Sequence, residues 1–323
     1  MRVITSEVTE RDVHVNGVDL HLYEAGEGPL VLLCHGFPEL GYSWRHQLPA
    51  LAAAGYHAVA MDQRGYGKAS APEPVEAYDI VALTDDQAAL LDLVGAERAA
   101  FVGHDWGANV VWGMAHRLPE RVAAVVGMSV PFVPRPSGPP IEIMRSMFGD
   151  NFFYMVYFQE EAADADLGAD ASRTIRGMLL GMTPGSPDAA VPMFGPAEAG
   201  GFVDRLPQAT LLPAWITDAE LDHYIEEFSR TGFRGAINWY RNLDRNWSLS
   251  EPWAQRKVTC PAMFLAGAQD VVLMMTPPSI MDGWVTDLRE TVMIEGAGHW
   301  VQQEKPAETN EALVRFLDTL DRW

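Results

Sequence analysis

The sequence predicts an α/β protein with a mostly parallel central sheet, helices on both faces, and a helical segment inserted between two strands. Short apolar runs alternate with amphipathic stretches up to residue 131 and again after about residue 250, the pattern of repeated βα units. Between these parts the alternation stops, and Pro, Gly and aromatic residues are frequent. We therefore predict a core of residues 1–131 and 251–323 and a helical cap (lid) of residues 132–250.

The individual elements follow from the local pattern. Asn16-Gly17, a dipeptide suited to a tight hairpin turn, separates two alternating segments, so an antiparallel hairpin opens the chain. Strands of a parallel sheet covered on both faces are apolar throughout. Six such runs are predicted as strands: Leu30–Leu33, His57–Met61, Ala99–Val102, Val122–Ser129, Ala262–Ala266 and Thr291–Ile294. Helices are predicted at Ala82–Val94 and Ala108–His116, and an amphipathic helix at Pro306–Leu320.

Composition and charge narrow the class of protein. The chain has 323 residues, of which 48% are hydrophobic and 21% charged, as in ordinary globular proteins. Its 23 Lys and Arg against 44 Asp and Glu give a formal charge of −21, which opposes binding to nucleic acid or to an anionic membrane surface. No window reaches the roughly 18 apolar residues of a membrane-spanning helix. We expect a cytoplasmic protein, without membrane insertion, that binds an uncharged small molecule.

The segment Gly103-His104-Asp105-Trp106-Gly107 lies between a predicted strand and a predicted helix. Small residues two positions before and after Asp105 permit a sharp turn that lifts the central side chain above the sheet. This is the nucleophile elbow of the α/β-hydrolase fold, with Asp where esterases have Ser. The pentapeptide alone leaves open a second interpretation, in which Asp105 only caps the following helix.

Two further residues favour the catalytic interpretation. Asp270 follows the apolar run Met263–Ala266, and His299 follows Val292–Ile294. The order nucleophile, acid, His along the chain is the one that this fold imposes, with each residue after a strand. His35-Gly36-Phe37-Pro38 follows the strand that ends at Leu33, where the fold supplies an oxyanion donor. We therefore predict the backbone N–H groups of Phe37 and Trp106 as the oxyanion hole.

An aspartate nucleophile restricts the reaction. Carboxylate attack on an ester or amide would give a high-energy anhydride, whereas attack on a saturated carbon gives an ester that water can hydrolyse. Epoxides and alkyl halides are therefore the candidate substrates. An epoxide leaves as a basic alkoxide that needs a proton donor, and tyrosine is a suitable acid. Four tyrosines fall in the predicted cap: Tyr154, Tyr157, Tyr224 and Tyr240.

Six segments together resemble the soluble epoxide hydrolases, and the resemblance runs over nearly the whole chain. They are His35-Gly-Phe-Pro-Glu39, Ser43-Trp-Arg45, Asp62-Gln-Arg-Gly-Tyr-Gly67, Gly103-His-Asp-Trp-Gly107, Asn238-Trp-Tyr-Arg-Asn242 and Gly298-His-Trp300. The sequence is most similar to bacterial single-domain members. The resemblance implies that Tyr154 and Tyr240 are the pair that assists ring opening, with Tyr157 as the alternative to Tyr154.

The resulting hypothesis is an epoxide hydrolase in which Asp105 forms an alkyl ester and His299, paired with Asp270, activates the water that releases the diol. It requires no metal and no organic cofactor. The predicted pocket residues are Trp106, His104, Tyr157, Trp239 and Trp300. Two rivals stay open: a haloalkane or haloacid dehalogenase with the same Asp-His-Asp triad, and a non-catalytic ligand-binding protein of the same fold. The sequence also leaves open a homodimer and the choice among detoxification, lipid metabolism and catabolism.

Overall fold

The computed structural model describes residues 7–185, 194–208, 210–321 and 323. Its strands are β1 (Thr9–Val15), β2 (Val18–Ala25), β3 (Leu30–Cys34), β4 (His57–Asp62), β5 (Ala99–His104), β6 (Val122–Met128), β7 (Phe152–Phe153), β8 (Phe194–Gly195), β9 (Ala262–Gly267) and β10 (Leu288–Ile294). Eight of them form one sheet in the order β1-β2-β4-β3-β5-β6-β9-β10. The β1-β2 and β2-β4 pairs are antiparallel, and the other five pairs are parallel. The predicted mostly parallel sheet is confirmed.

The α-helices lie between and around these strands. They are α1 (Gln47–Ala53), α2 (Ile80–Val94), α3 (Trp106–Arg117), α4 (Pro140–Phe148), α5 (Tyr154–Tyr157), α6 (Ala162–Gly168), α7 (Ala171–Gly181), α8 (Phe202–Arg205), α9 (Asp218–Thr231), α10 (Arg234–Arg241), α11 (Leu243–Leu249), α12 (Val301–Glu304) and α13 (Pro306–Leu317). Short 3-10 helices occupy Gly41–Trp44, Val75–Tyr78, Pro119–Arg121, Ala197–Ala199, Glu251–Trp253, Val271–Met274 and Pro278–Met281. No helix among the described ranges is both long and apolar enough to cross a membrane.

The two faces of the sheet are covered by different helices, because successive side chains of a strand point to opposite faces. In β3, Val31 and Leu33 belong to the apolar cluster that contains α1 and α13, whereas Leu32 and Cys34 belong to the cluster that contains α2 and α3. All four side chains are fully buried. This double cover explains why the central strands read as continuous apolar runs.

The turn residues also follow the sequence pattern. Asn16 and Gly17 both adopt positive φ, 48° and 76°, which suits a two-residue hairpin of the predicted kind. The strand predicted at Val122–Ser129 was one residue too long. Ser129 takes a φ of 65° and so leaves the extended conformation, which ends β6 at Met128.

The segment between β6 and β9 carries α4 to α11. Where the structure describes this segment, its regular elements are helices, as predicted, apart from one antiparallel pair of two-residue strands, in which Phe152 pairs with Gly195 and Phe153 with Phe194. The sequence did not indicate this pair, because strands of two residues have no periodicity to detect. The limits 132–250 for a cap remain a prediction.

Candidate active site

Asp105 lies at a sharp turn between β5 and α3, with φ 52° and ψ −118°. A non-glycine residue in this conformation is strained, and such residues concentrate at functional sites. The turn requires glycine on both sides. A Cβ on Gly103 would lie 2.1 Å from the carbonyl oxygen of Gly107, and a Cβ on Gly107 would lie 2.0 Å from that of Cys34. The glycines therefore permit the turn that presents the Asp105 carboxylate above the sheet.

Asp270 and His299 are brought to the same place by their strands. Asp270 follows β9, and His299 follows β10, the neighbouring parallel strand. The Nδ1 atom of His299 lies 3.0 Å from Oδ2 and 3.1 Å from Oδ1 of Asp270. Its Nε2 atom lies 3.6 Å from Oδ2 of Asp105. The three residues thus form an Asp-His-Asp constellation in which one imidazole lies between two carboxylates.

The electrostatics of this constellation follow from burial and charge. Burial alone would lower the pKa of His299, but the carboxylates of Asp270 and Asp105 outweigh it and raise that pKa well above its usual value. Burial would likewise raise the pKa of Asp270, but the charge and hydrogen bond of His299 lower it. The resting site therefore favours a charged imidazolium held by an ionised Asp270.

The backbone around Asp105 supplies hydrogen-bond donors. The N–H of Phe37 donates to Oδ1 of Asp105 over 2.8 Å. Trp106 is the first residue of α3, so its N–H is one of the four that a helix leaves without a helical carbonyl. The Phe37 N–H thus lies beside the Asp105 carboxylate, where an oxyanion hole would be needed, and the Trp106 N–H belongs to the next residue along the chain.

A cavity opens above Asp105. Its lining residues are Phe37, Asp105, Tyr154, Met178, Met182, Phe202, Tyr240, Val272 and His299. The rings of Tyr154 and Tyr240 meet edge to face with centroids 5.9 Å apart. The cavity therefore has a polar end, formed by two phenols, a carboxylate and an imidazole, and otherwise apolar walls.

The two candidate tyrosines of α5 point to different places. Tyr154 lines the cavity with Asp105, whereas the hydroxyl of Tyr157 donates to Oδ2 of Asp166 over 2.9 Å. Burial, reinforced by the Asp105 carboxylate, raises the pKa of both Tyr154 and Tyr240. Both phenols are therefore protonated at neutral pH and able to donate a hydrogen bond.

None of the five residues predicted to form the pocket lines this cavity in the described structure. His104 and Trp300 are buried behind it, and Trp300 donates from Nε1 to the carbonyl oxygen of Leu179. Trp239 is buried and donates to the backbone of Arg64. Tyr157 bonds Asp166, and the side chain of Trp106 lines a second groove. Four of the five are immediate chain neighbours of Asp105, Tyr240 or His299, and adjacent side chains point to different sides, whereas the Tyr157 hydroxyl is held by Asp166.

The cavity walls include residues that the sequence did not indicate: Met178, Met182, Phe202 and Val272. Met178 and Met182 are four residues apart, at the end of α7, and so share one face of the helix. A spacing of four residues predicts an apolar face of the helix, but it does not predict which element packs against that face.

Glu39 is a further residue to which the sequence analysis assigned no role. It is fully buried, and its Oε2 atom lies 2.6 Å from Nδ1 of His104. Burial opposes ionisation of Glu39, but the adjacent His104 outweighs it and lowers the pKa of Glu39 to about 2. An ionised glutamate therefore lies beside His104, whose other ring nitrogen contacts the backbone of His299.

Comparison with known proteins agrees with this geometry. A family model described as alpha/beta hydrolase fold matches residues 29–306. Epoxide hydrolase A of Mycobacterium tuberculosis is 54% identical over 317 residues, which cover 97% of this chain and 98% of that protein. Bifunctional epoxide hydrolase 2 of Mus musculus is 39% identical over 94% of this chain and 54% of its own length. The crystal structure of Epoxide Hydrolase A from Mycobacterium thermoresistibile superposes with a TM-score of 0.94 at 56% identity, covering 98% of this chain and all of that one.

Proposed function

Since this chain belongs to the epoxide hydrolases of the α/β-hydrolase fold, we propose that it converts an uncharged epoxide and water into a vicinal diol through an ester on Asp105. The observation that carries the proposal is that Tyr154 and Tyr240 line the same cavity as Asp105 and His299. Two protonated phenols suit a basic alkoxide leaving group, whereas a halide needs only weak N–H donors. This favours the epoxide over the alkyl halide.

Ring opening is the first half of the reaction. A carboxylate oxygen of Asp105 forms a bond to one ring carbon while the bond from that carbon to the ring oxygen breaks. The electron pair remains on the ring oxygen, which takes a proton from Tyr154 or Tyr240. A hydroxyalkyl ester of Asp105 and one tyrosinate result.

Hydrolysis is the second half. Nε2 of His299 takes a proton from water, whose oxygen adds to the ester carbonyl of Asp105, while the N–H groups of Phe37 and Trp106 hold the oxyanion. Collapse breaks the acyl bond, and the departing alkoxide takes the proton from His299 to give the diol. The remaining proton leaves Asp105 as its carboxylate forms again and restores the imidazolium of His299.

The charges of the site support this order of events. His299 has a raised pKa because two carboxylates face it. Ester formation removes the charge of Asp105, and the pKa of His299 then falls, since one of its two partners has become neutral. The imidazolium then passes its extra proton to the tyrosinate left by ring opening, so His299 is a neutral imidazole when the mechanism needs a general base.

The proposal assigns a cap function to residues 132–250. This segment supplies both phenols and the walls formed by Met178, Met182 and Phe202, whereas the core supplies Asp105 and His299. The substrate is then enclosed between the two parts. A pocket with few polar groups, all at one end, suits an epoxide joined to an uncharged apolar group.

A single-turnover experiment in H2¹⁸O, with enzyme in excess over epoxide, tests the covalent route. The new hydroxyl oxygen of the diol then comes from the Asp105 carboxylate, so the diol of the first turnover carries no label. Direct attack by water would label it. The Asp105→Ala variant is expected to form no diol, and release of halide from alkyl halides without diol from any epoxide would favour the dehalogenase instead.

A further inference from the structure

A chain of buried polar side chains runs from the catalytic histidine to helix α9 of the inserted segment. It begins at His104, whose Nε2 lies 2.7 Å from the carbonyl oxygen of His299 and whose Nδ1 lies 2.6 Å from Oε2 of Glu39. Both partners are hydrogen-bond acceptors, so each ring nitrogen of His104 faces an acceptor. His104 therefore holds the backbone of His299 through the carbonyl oxygen of that residue.

Glu39 connects this contact to two neighbouring glutamines. Its Oε1 atom accepts from Nε2 of Gln302 over 2.8 Å and from Nε2 of Gln303 over 3.0 Å. Its Oε2 atom also accepts from the N–H of Gly36 over 3.2 Å, directly before the oxyanion donor Phe37. The carboxylate of Glu39 thus fixes both the His299 loop and the Phe37 loop.

Gln303 continues the chain towards the inserted segment. Its Oε1 accepts from the hydroxyl of Tyr224 in α9 over 3.1 Å and from Nη1 of Arg45 over 2.7 Å. The Tyr224 hydroxyl also bonds Oγ of Ser43 over 2.8 Å, and Nε of Arg45 donates to Glu220 in α9 over 2.7 Å. Gln303 and Tyr224 are buried. The amide nitrogen of Gln303 therefore contacts Glu39, while its amide oxygen contacts Tyr224 of α9 and Arg45.

We propose that Gln303 is a positioning residue that couples the packing of α9 against the core to the alignment of His299. When Tyr224 is in place, the amide of Gln303 is oriented with its N–H towards Glu39, and the Glu39–His104 pair then holds the His299 carbonyl. Displacement of α9 releases this orientation. The inference rests on the proposed function, because it assigns the coupling to the step in which His299 activates water.

The coupling acts on ester hydrolysis and not on ring opening. Asp105 needs no base to attack the epoxide, whereas hydrolysis needs His299 in register with the ester carbonyl. Weakening this series of hydrogen bonds therefore slows ester hydrolysis selectively, and the ester accumulates. A general loss of folding would lower both halves together.

Gln302 offers a matched control next to Gln303. It donates to the same Oε1 atom of Glu39, but its own Oε1 atom has no hydrogen-bond partner among the described residues. Gln302→Met removes a bond to Glu39 and leaves the contact with α9. Gln303→Met removes the bonds to Glu39, Tyr224 and Arg45, and Tyr224→Phe removes only the hydroxyl in α9.

The test measures the ring-opening and hydrolysis rates separately by rapid mixing, with the ester followed by intact-protein mass. We expect Tyr224→Phe and Gln303→Met to slow hydrolysis about tenfold while ring opening stays within about twofold, and Gln302→Met to have a smaller effect. The double variant Tyr224→Phe/Gln303→Met is expected to be no slower than Gln303→Met, since both changes break one chain.

Three results would overturn the coupling: equal losses in both halves, equal effects of Gln302→Met and Gln303→Met, or additive effects in the double variant. His299→Gln serves as the reference for the proposed function. An ester that forms in His299→Gln but does not accumulate in Gln303→Met contradicts only the coupling. Absence of the ester in His299→Gln contradicts the proposed function itself.

Discussion

His299 and Asp105 face each other as a charged pair without a direct hydrogen bond, since 3.6 Å separates Nε2 from Oδ2. The Asp105 carboxylate is held instead by the N–H of Phe37 at its other oxygen. One carboxylate oxygen therefore stays directed into the cavity, available to a carbon atom. The same arrangement places the imidazole beside the ester that such an attack would leave.

The first prediction is that His299→Gln traps the ester. Glutamine cannot take a proton from water, while Asp105, Tyr154 and Tyr240 remain for ring opening. Intact-protein mass after mixing with an epoxide should rise by the mass of the substrate. The control is Asp105→Ala/His299→Gln, and a mass increase that persists in this double variant would show that the adduct lies on another residue.

The second prediction concerns the tyrosines. Tyr154→Phe and Tyr240→Phe should each lower the ring-opening rate by about 10²-fold or more, the usual contribution of a general acid. Tyr157→Phe is the matched control from the same short helix, because its hydroxyl bonds Asp166 outside the cavity. Stopped-flow single turnovers decide the assignment, which is wrong if Tyr157→Phe is the slower of the two α5 variants.

The third prediction concerns the pH dependence of stability. His299 has a raised pKa in the folded protein, so its ion pairs stabilise the fold fully below its unfolded pKa of about 6.5. This contribution is lost as the pH rises through the higher folded pKa. The difference in free energy of unfolding between wild type and His299→Gln, from urea titrations, should shrink above pH 6.5 or so. A difference that grows with pH would contradict the charged pair.

Much of the fold was predictable because the signals are local. Apolar runs of strand length predicted the buried strands, and Gly103 and Gly107 predicted the turn at Asp105 because no larger residue fits there. The meeting of Asp270 with His299 followed from one further fact. Their strands are parallel, so their carboxyl ends lie at the same edge of the sheet.

The residues behind and above the site were not predictable in the same way. His104 and Trp300 are next to Asp105 and His299 along the chain, but both side chains are buried, because adjacent residues of the elbow and of the His299 loop present their side chains to different sides. The cavity walls come from α7 and α8, whose docking depends on contacts distant in sequence. The sequence did not indicate the hydrogen-bonding role of Glu39, since its partners Gln302 and Gln303 lie more than 260 positions away.

The fourth prediction concerns the cavity wall and substrate size. Met178 is buried and lines the cavity, so Met178→Ala should enlarge the space for the group that the epoxide carries. The ratio of kcat/KM for a bulky epoxide to that for a small one should rise, with a loss of about 2–5 kcal/mol in the free energy of unfolding.

Leu179→Ala is the matched control, because Leu179 is the next residue of α7 and is fully buried but does not line the cavity. It should lose comparable stability and leave the selectivity ratio unchanged. If both variants shift the ratio equally, looser packing of α7 explains the effect and the wall does not. If Met178→Ala alone shifts it, the methionine face of α7 sets the size of the epoxide that the site accepts.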